Sequence, residues 1–162
     1  MLAPLAGCGY HVSGHADLLP KSVKSIAVPP FGNNTTRFRL ADRLAQSITR
    51  EFLSRTRYQV VHDQDAADAI LRGSVLNLLA FPATFDTATG RAAGVQVSVY
   101  LQIQLTERAS GKVLYTNPSM EVRERYEISI DPVAYFEESE VALDRLSRQV
   151  AGGIVSAILE AF

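Results

Sequence analysis

The sequence predicts an α+β fold: a β-α-β-β-β-α two-layer sandwich in which two helices pack on one face of a four-stranded sheet. Three observations predict it. Val95, Val97, Val99, Leu101, Ile103 and Leu105 alternate with Gln96, Ser98, Tyr100, Gln102, Gln104 and Thr106, which is the period of a strand with one dry and one wet face. Leu40, Leu44, Ile48 and Phe52 instead recur at helical spacing, with Ala41 and Ala45 beside them and Arg39, Asp42, Arg43 and Arg50 opposite. A second helical stripe, Leu143, Leu146, Val150, Ile154, Ala157, Ile158 and Phe162, closes the chain.

Taken in order, Val23 to Pro29 reads as a first strand, ended by Pro29 and Pro30 because proline cannot donate to a central ladder. Phe31-Gly32-Asn33-Asn34-Thr35-Thr36 is a polar turn able to cap a helix running from about Arg37 to Ser54. Tyr58 to Val61 is a short strand, and His62 to Asp68 a solvated acidic loop. A longer strand follows from about Ala69 to Phe81, stopped by Pro82, with a turn from Asp86 to Gly94 before the alternating strand. Glu107 to Lys112, with Gly111, is a tight hairpin turn into a partner strand from Val113 to about Ile128, with a bulge or edge position at Asn117-Pro118. Asp131-Pro132 opens the last helix, where Tyr135 or Phe136 can pack back onto the first turns. The sheet is at least partly antiparallel, and its second face is polar and available.

Composition narrows the function. Hydrophobic residues at 47% and charged residues at 20% are those of one folded domain. With 16 basic and 17 acidic side chains the net charge is −1, so no overall field draws the protein to nucleic acid. No apolar run approaches the roughly 20 residues of a spanning helix. Signatures of zinc hydrolysis, acyl transfer and nucleotide binding are absent, so neither an enzyme nor a cofactor is expected. His11 and His15 stand at a metal-ligand spacing only if helical, which Gly14 disfavours, so no metal is expected. Glu137, Glu138 and Glu140 read as charges in the first turn of a helix, where the macrodipole favours them. Asp63, Asp65 and Asp68 read as a solvated loop without the glycine and glutamate of an EF-hand.

The single cysteine, Cys8, has no partner for an internal disulfide. It closes Leu5-Ala6-Gly7-Cys8, which resembles the lipobox of bacterial lipoproteins. That resemblance implies diacylation of Cys8, removal of residues 1–7 as the remnant of a longer signal peptide, and a lipidated tether over 8–22 ahead of one domain, 23–162. Two or more acyl chains anchor stably where one does not.

Cys8-Gly9-Tyr10-His11, Ser25-Ile26-Ala27-Val28-Pro29 with Phe31 and Asn33, Glu51-Phe52, Arg55-Thr56, and Ala67-Asp68-Ala69 with Gly73 together resemble the LPS-assembly lipoprotein family LptE over nearly the whole chain. Membership implies a lipoprotein on the periplasmic side of the bacterial outer membrane. It implies that the chain plugs the LptD barrel, helps that barrel assemble, and binds lipopolysaccharide during export. In that family lipopolysaccharide contact is attributed to basic residues on loops at one end of the sheet. Arg91, in the turn between the long strands, is the candidate here, with Arg72, Arg123 and Arg125 as strand residues able to face the polar side. Arginine suits phosphate because its planar fork donates two parallel hydrogen bonds. The alternative is an envelope lipoprotein like LpoB or CsgG, which also carry an Ile-Ala-Val-x-x-Phe strand followed by Asn-Asn-Thr and would act as a protein-binding activator module.

Overall fold

A computed structural model of the chain describes residues 19–36, 38–127 and 132–162. It is an α+β fold with the strands β1 (Ser25–Ala27), β2 (Gly32–Asn33), β3 (Gln59–Val61), β4 (Ala69–Phe85), β5 (Ala92–Glu107) and β6 (Val113–Glu127), and the helices α1 (Phe38–Arg55) and α2 (Pro132–Leu159). The expected count of four strands is therefore corrected: the sheet has six, in the order β3-β1-β4-β5-β6, with β2 paired to β4. One of the two beyond four is the segment after α1, already read as a short strand at Tyr58 to Val61, which runs parallel to β1. The other is the Gly32–Asn33 stretch, expected as a turn, which lies parallel to β4.

Pro82 does not stop β4, which continues to Phe85. The reason is its place in the ladder. Val75 turns its carbonyl outward to Asn34 N, and after a bulge the Leu78 N–H also points outward, to Asn77 Oδ1. By antiparallel alternation Pro82 likewise faces the free edge, so its missing N–H removes no bond to β5. The bulge expected at Asn117-Pro118 is present as a register shift between the Leu101 and Ile103 rungs, and β6 is an edge strand.

The alternation in β5 does what its period requires. Val97, Val99, Leu101, Ile103 and Leu105 are buried in one core with Leu40, Leu44, Ile48 and Phe52 of α1 and Leu146, Val150, Ile154 and Ile158 of α2. Fully burying each such side chain is worth roughly 1.5–3 kcal/mol, which makes β5 a main organiser of the sandwich. The helices also grip each other. Ser47 Oγ lies 3.1 Å from Ser147 Oγ inside their interface, and Arg55 Nη1 donates to Glu51 at 3.2 Å and to Ser156 Oγ at 2.9 Å. Phe162 does not end the stripe as expected; it lies beyond α2 and is exposed.

Packing begins at Leu19, which is buried and whose N–H donates to Tyr58 Oη at 2.9 Å. Asp68, expected in a solvated loop, is instead a staple. Its Oδ2 accepts from Lys24 N, Ser25 N and Ser25 Oγ at 2.9–3.0 Å, joining the start of β4 to β1. Those donors, the Lys24 N–H first, hold its pKa below the ordinary carboxylate value. Gly73 is required by close approach, since a Cβ there would stand 2.3 Å from Phe31 Cε1 and 2.9 Å from the Gln102 carbonyl oxygen. Cys8, His11 and His15 lie outside the described residues. So do the side chains of Tyr135, Phe136, Glu137, Glu138 and Glu140.

Candidate functional site at the free end of the sheet

Both long hairpins turn on the same local chemistry. In Asp86-Thr87-Ala88-Thr89-Gly90-Arg91 the Asp86 N–H donates to the Arg91 carbonyl at 2.8 Å, and Gly90 takes φ +67°. In Glu107-Arg108-Ala109-Ser110-Gly111-Lys112 the Glu107 N–H donates to the Lys112 carbonyl at 2.8 Å, and Gly111 takes φ +70°. Glycine occupies the one position of each turn where a Cβ is strained.

The turns sit at opposite ends of the sheet, about 55 Å apart along the 17 residues of β4. Beyond Val75, where β2 stops, β4 has no partner on its outer side among the described residues. The sheet is there reduced to β4, β5 and β6, a three-stranded arm. From Gly73 to Thr106 only Asp86 and Arg91 are charged, both in the turn. The arm carries Phe81 and Phe85, 53% and 62% exposed. Large aromatics left in water are the informative exception to burial.

The outer face of the sheet can be read rung by rung. Nearest the free turn, Phe81 pairs with Gln96 and Gln96 with Arg125; then come Leu79, Ser98 and Arg123, then Asn77, Tyr100 and Glu121. Arg72, Gln104 and Thr116 share a rung at the far end. Arg72, Arg123 and Arg125 do register on the polar face, but they are not one cluster. Eight residues of β5, roughly 27 Å, separate the Arg72 rung from that of Arg125. Arg72 lines a shallow polar depression with Gln102, Gln104, Thr116 and Pro118, and donates to Gln64 Oε1 at 2.8 Å.

The remaining arginines differ in what they already hold. Arg123 donates from Nε and Nη2 to the two carboxylate oxygens of Glu121 at 2.8 and 2.9 Å, and Tyr100 Oη donates to Glu121 at 2.9 Å. That fork, led by Arg123, lowers the Glu121 pKa to about 2, while the same carboxylate pushes the Tyr100 phenol up. Among the described residues the side chains of Arg91 and Arg125 have no hydrogen-bond or ion-pair partner. Asp86 is held by its own turn, accepting on Oδ1 from Ala88 N, Thr89 N and Thr89 Oγ1, and its pKa falls, chiefly through the Thr89 hydroxyl. Glu127, two positions after Arg125, is the exposed carboxylate of this end.

The free end thus offers two unengaged guanidinium groups beside exposed aromatic carbon, a combination suited to an anionic amphiphile. The aromatics were missed because each looked like an ordinary strand residue. Their signal was the charge-free hairpin around them. The Glu121 fork was missed although its i, i+2 spacing in a strand puts both side chains on one face. Among the described residues no group of His, Cys, Asp and Glu could hold a metal ion, and no helix is long and apolar enough to cross a membrane.

Solved structures share this architecture. Rare lipoprotein B from Shewanella oneidensis is 17% identical, covering 84% of this chain and 94% of its own, with a TM-score of 0.52. PelC from Paraburkholderia phytofirmans, a dodecamer, is 13% identical over 85% of this chain and 88% of its own, with a TM-score of 0.55. At these identities the likeness is one of fold. A comparison with curated protein sequences gives no match. The family model described as lipopolysaccharide-assembly, LptE, matches residues 23–158, which span the sheet and both helices, and the chain belongs to that family.

Proposed function

We propose that this chain is an outer-membrane lipoprotein, anchored on the periplasmic side through Cys8, that plugs and helps assemble an LptD-like barrel and takes part in lipopolysaccharide transport to the cell surface. The observation that carries the reading is the family match over residues 23–158. The geometry supports it. Leu19 to Ser22 lie at the β5–β6 turn, where Ser22 Oγ donates to Glu107 at 2.7 Å. The described chain thus enters beside the β5–β6 turn, at the end of the sheet opposite the arm with Arg91. In this reading no catalytic group is required; the domain works by shape and by contact.

Within the site, Arg91 and Arg125 are the primary lipopolysaccharide contacts, with Arg123 and Arg72 secondary because Glu121 and Gln64 already occupy them. Phosphate is the group these forks recognise. The test of the role is co-purification of the native lipoprotein from envelope membranes. Recovery with an LptD-like barrel is expected. Recovery with a penicillin-binding protein and no such barrel overturns the reading in favour of an activator. For the lipid, Arg91→Ala is expected to weaken lipopolysaccharide association at low salt, and an unchanged affinity removes Arg91 from the site.

A further inference from the structure

The chain has three lysines, Lys21, Lys24 and Lys112, and the fold brings all three to one end. Lys21 and Lys24 flank Ser22, whose Oγ donates to Glu107 at 2.7 Å at the start of the β5–β6 turn. Lys112 closes that turn, its carbonyl accepting from Glu107 N at 2.8 Å. Two exposed arginines join them. Arg108 lies within the turn, and Arg57 stands two residues before Gln59, whose N–H donates to the Lys24 carbonyl at 2.9 Å.

The carboxylates of this end do not cancel these cations. Asp68 is bound to β1 by three hydrogen bonds, and Glu107 accepts from both Ser22 Oγ and Ser110 Oγ. Asp63 and Asp65 belong to a loop whose Gln64 is held by Arg72, three residues in from the last rung of β4 and β5. By contrast, the side chains of Lys21, Lys24, Arg57 and Lys112 have no hydrogen-bond or ion-pair partner among the described residues. None of these four is held in one geometry, which suits a fluid surface better than a folded partner. Lysine in particular is a compact point charge on a flexible stem, whereas the planar fork of arginine asks for a fixed acceptor.

Exposed apolar carbon lies at the same end. Val113, next to Lys112, is 43% exposed, and Phe162, just past α2, is 45% exposed. Phe162 is brought here because the last turns of α2 are tied to the end of α1 through Arg55 and Ser156, and α1 leads in four residues to β3 beside Lys24. Cations on apolar stems beside protruding apolar side chains are the composition of a membrane-interface surface. Chain length agrees. Leu19 stands eleven residues after Cys8, a reach of at most about 40 Å, against roughly 55 Å between the two ends of the sheet. A leaflet holding a lipidated Cys8 is therefore met by the lysine end before the arm.

We propose that this end is a membrane-contact surface, on which Lys21, Lys24 and Lys112 sit among the headgroups of an anionic bilayer while Val113 and Phe162 enter its interface. Contact there stands the domain on its leaflet with the arm pointing away. The surface rests on the anchored-lipoprotein reading for which leaflet it meets, and it leaves the arm and the outer face of the sheet to the roles given above.

The test uses the full chain with Cys8→Ser, so that no acyl chain contributes and a wrong anchor and a wrong surface give different results. Vesicles of phosphatidylcholine with phosphatidylglycerol are compared with vesicles of phosphatidylcholine alone. Co-sedimentation with the anionic vesicles is expected at low salt, with release as salt rises, because exposed charges are screened. Lys21→Ala, Lys24→Ala and Lys112→Ala should each weaken it on the order of fivefold, the effect of one lysine close to an anionic surface. Arg148→Ala, which removes an equal charge from the middle of α2, should change little. The chain has no tryptophan, so single reporters show which end goes in. Phe162→Trp should shift its emission to the blue on the anionic vesicles, and Phe85→Trp on the arm should not. Failure to bind, equal binding to both kinds of vesicle, or equal weakening by Arg148→Ala overturns the proposal. So does a shift at Phe85→Trp as large as that at Phe162→Trp.

Discussion

The two hairpin turns are near copies in sequence and in hydrogen bonding, yet one belongs to the body of the fold and the other does not. Around Glu107–Lys112 the rest of the chain closes in. Ser22 reaches Glu107, the Arg108 N–H donates to the Asp68 carbonyl at 2.8 Å, and Arg108 Nε donates to the Ala67 carbonyl at 2.7 Å. Around Asp86–Arg91 the hydrogen bonds among the described residues stay within the turn. Local chemistry makes both hairpins; long-range contacts decide which end is tied into the body of the fold and which end stands free.

The largest expected effect breaks the anchored half. Phe31 is buried over Gly73, and Phe31→Ala should cost about 3–5 kcal/mol in denaturant unfolding through the cavity left behind. Gly73→Ala, which drives a Cβ into the same ring, should cost about 1–3 kcal/mol. Phe85→Ala at the free end should stay within about 0.5 kcal/mol, although the side chain removed has the same size. Equal losses at Phe31 and Phe85 would erase the distinction between the two ends.

Next in size is the Asp68 staple. Asp68→Asn keeps the shape and loses the charge on three hydrogen bonds, for about 1–2 kcal/mol at neutral pH once partial exposure is discounted. The sign of the pH effect follows from the lowered pKa. The carboxylate's contribution is complete above its unfolded pKa and is lost as pH falls through the lower folded value. Stability of the parent should therefore fall more steeply below about pH 4 than that of Asp68→Asn. Parallel acid-unfolding curves would show that Asp68 does not staple β1 to β4.

Much of this was legible in the sequence. The stripe of α1 and the alternation of β5 were readable because each pattern is set by burial against one core, and Glu107–Lys112 because turn chemistry is local. One strand was not. Gly32–Asn33 pairs with β4 through only two residues, too few for any period, and its position depends on Phe31 finding space above Gly73. Asp68 looked like one acidic loop residue among three because its donors lie more than forty residues away. The segments carrying the family resemblance sort the same way. Phe31, Asn33, Asp68 and Gly73 hold the fold together, whereas Arg91 and Arg125, which occur in none of those segments, lie at the free end.

The free end itself predicts a smaller effect, of a different kind. Phe81→Ser with Phe85→Ser should leave unfolding within about 0.5 kcal/mol of the parent and reduce binding of a hydrophobic dye to the native protein. A loss of stability instead would mean that the arm packs against part of the chain and is not presented outward.

The smallest effect separates neighbouring arginines on one strand. Arg123 and Arg125 are two residues apart on the same face, but Arg123 is already forked by Glu121 while Arg125 is unengaged. If contact with an anionic lipid depends on free guanidinium groups, Arg125→Ala should lower lipopolysaccharide association by about threefold at low salt, and Arg123→Ala by less. Glu121→Gln then acts in the opposite direction, because it removes the charge that holds Arg123 and leaves its donors for phosphate, so association should rise. The difference should shrink with added salt, since all three groups are exposed and screened. Equal losses for Arg123→Ala and Arg125→Ala, with no gain in Glu121→Gln, would mean that the face contributes only its summed charge and that the fork directs nothing.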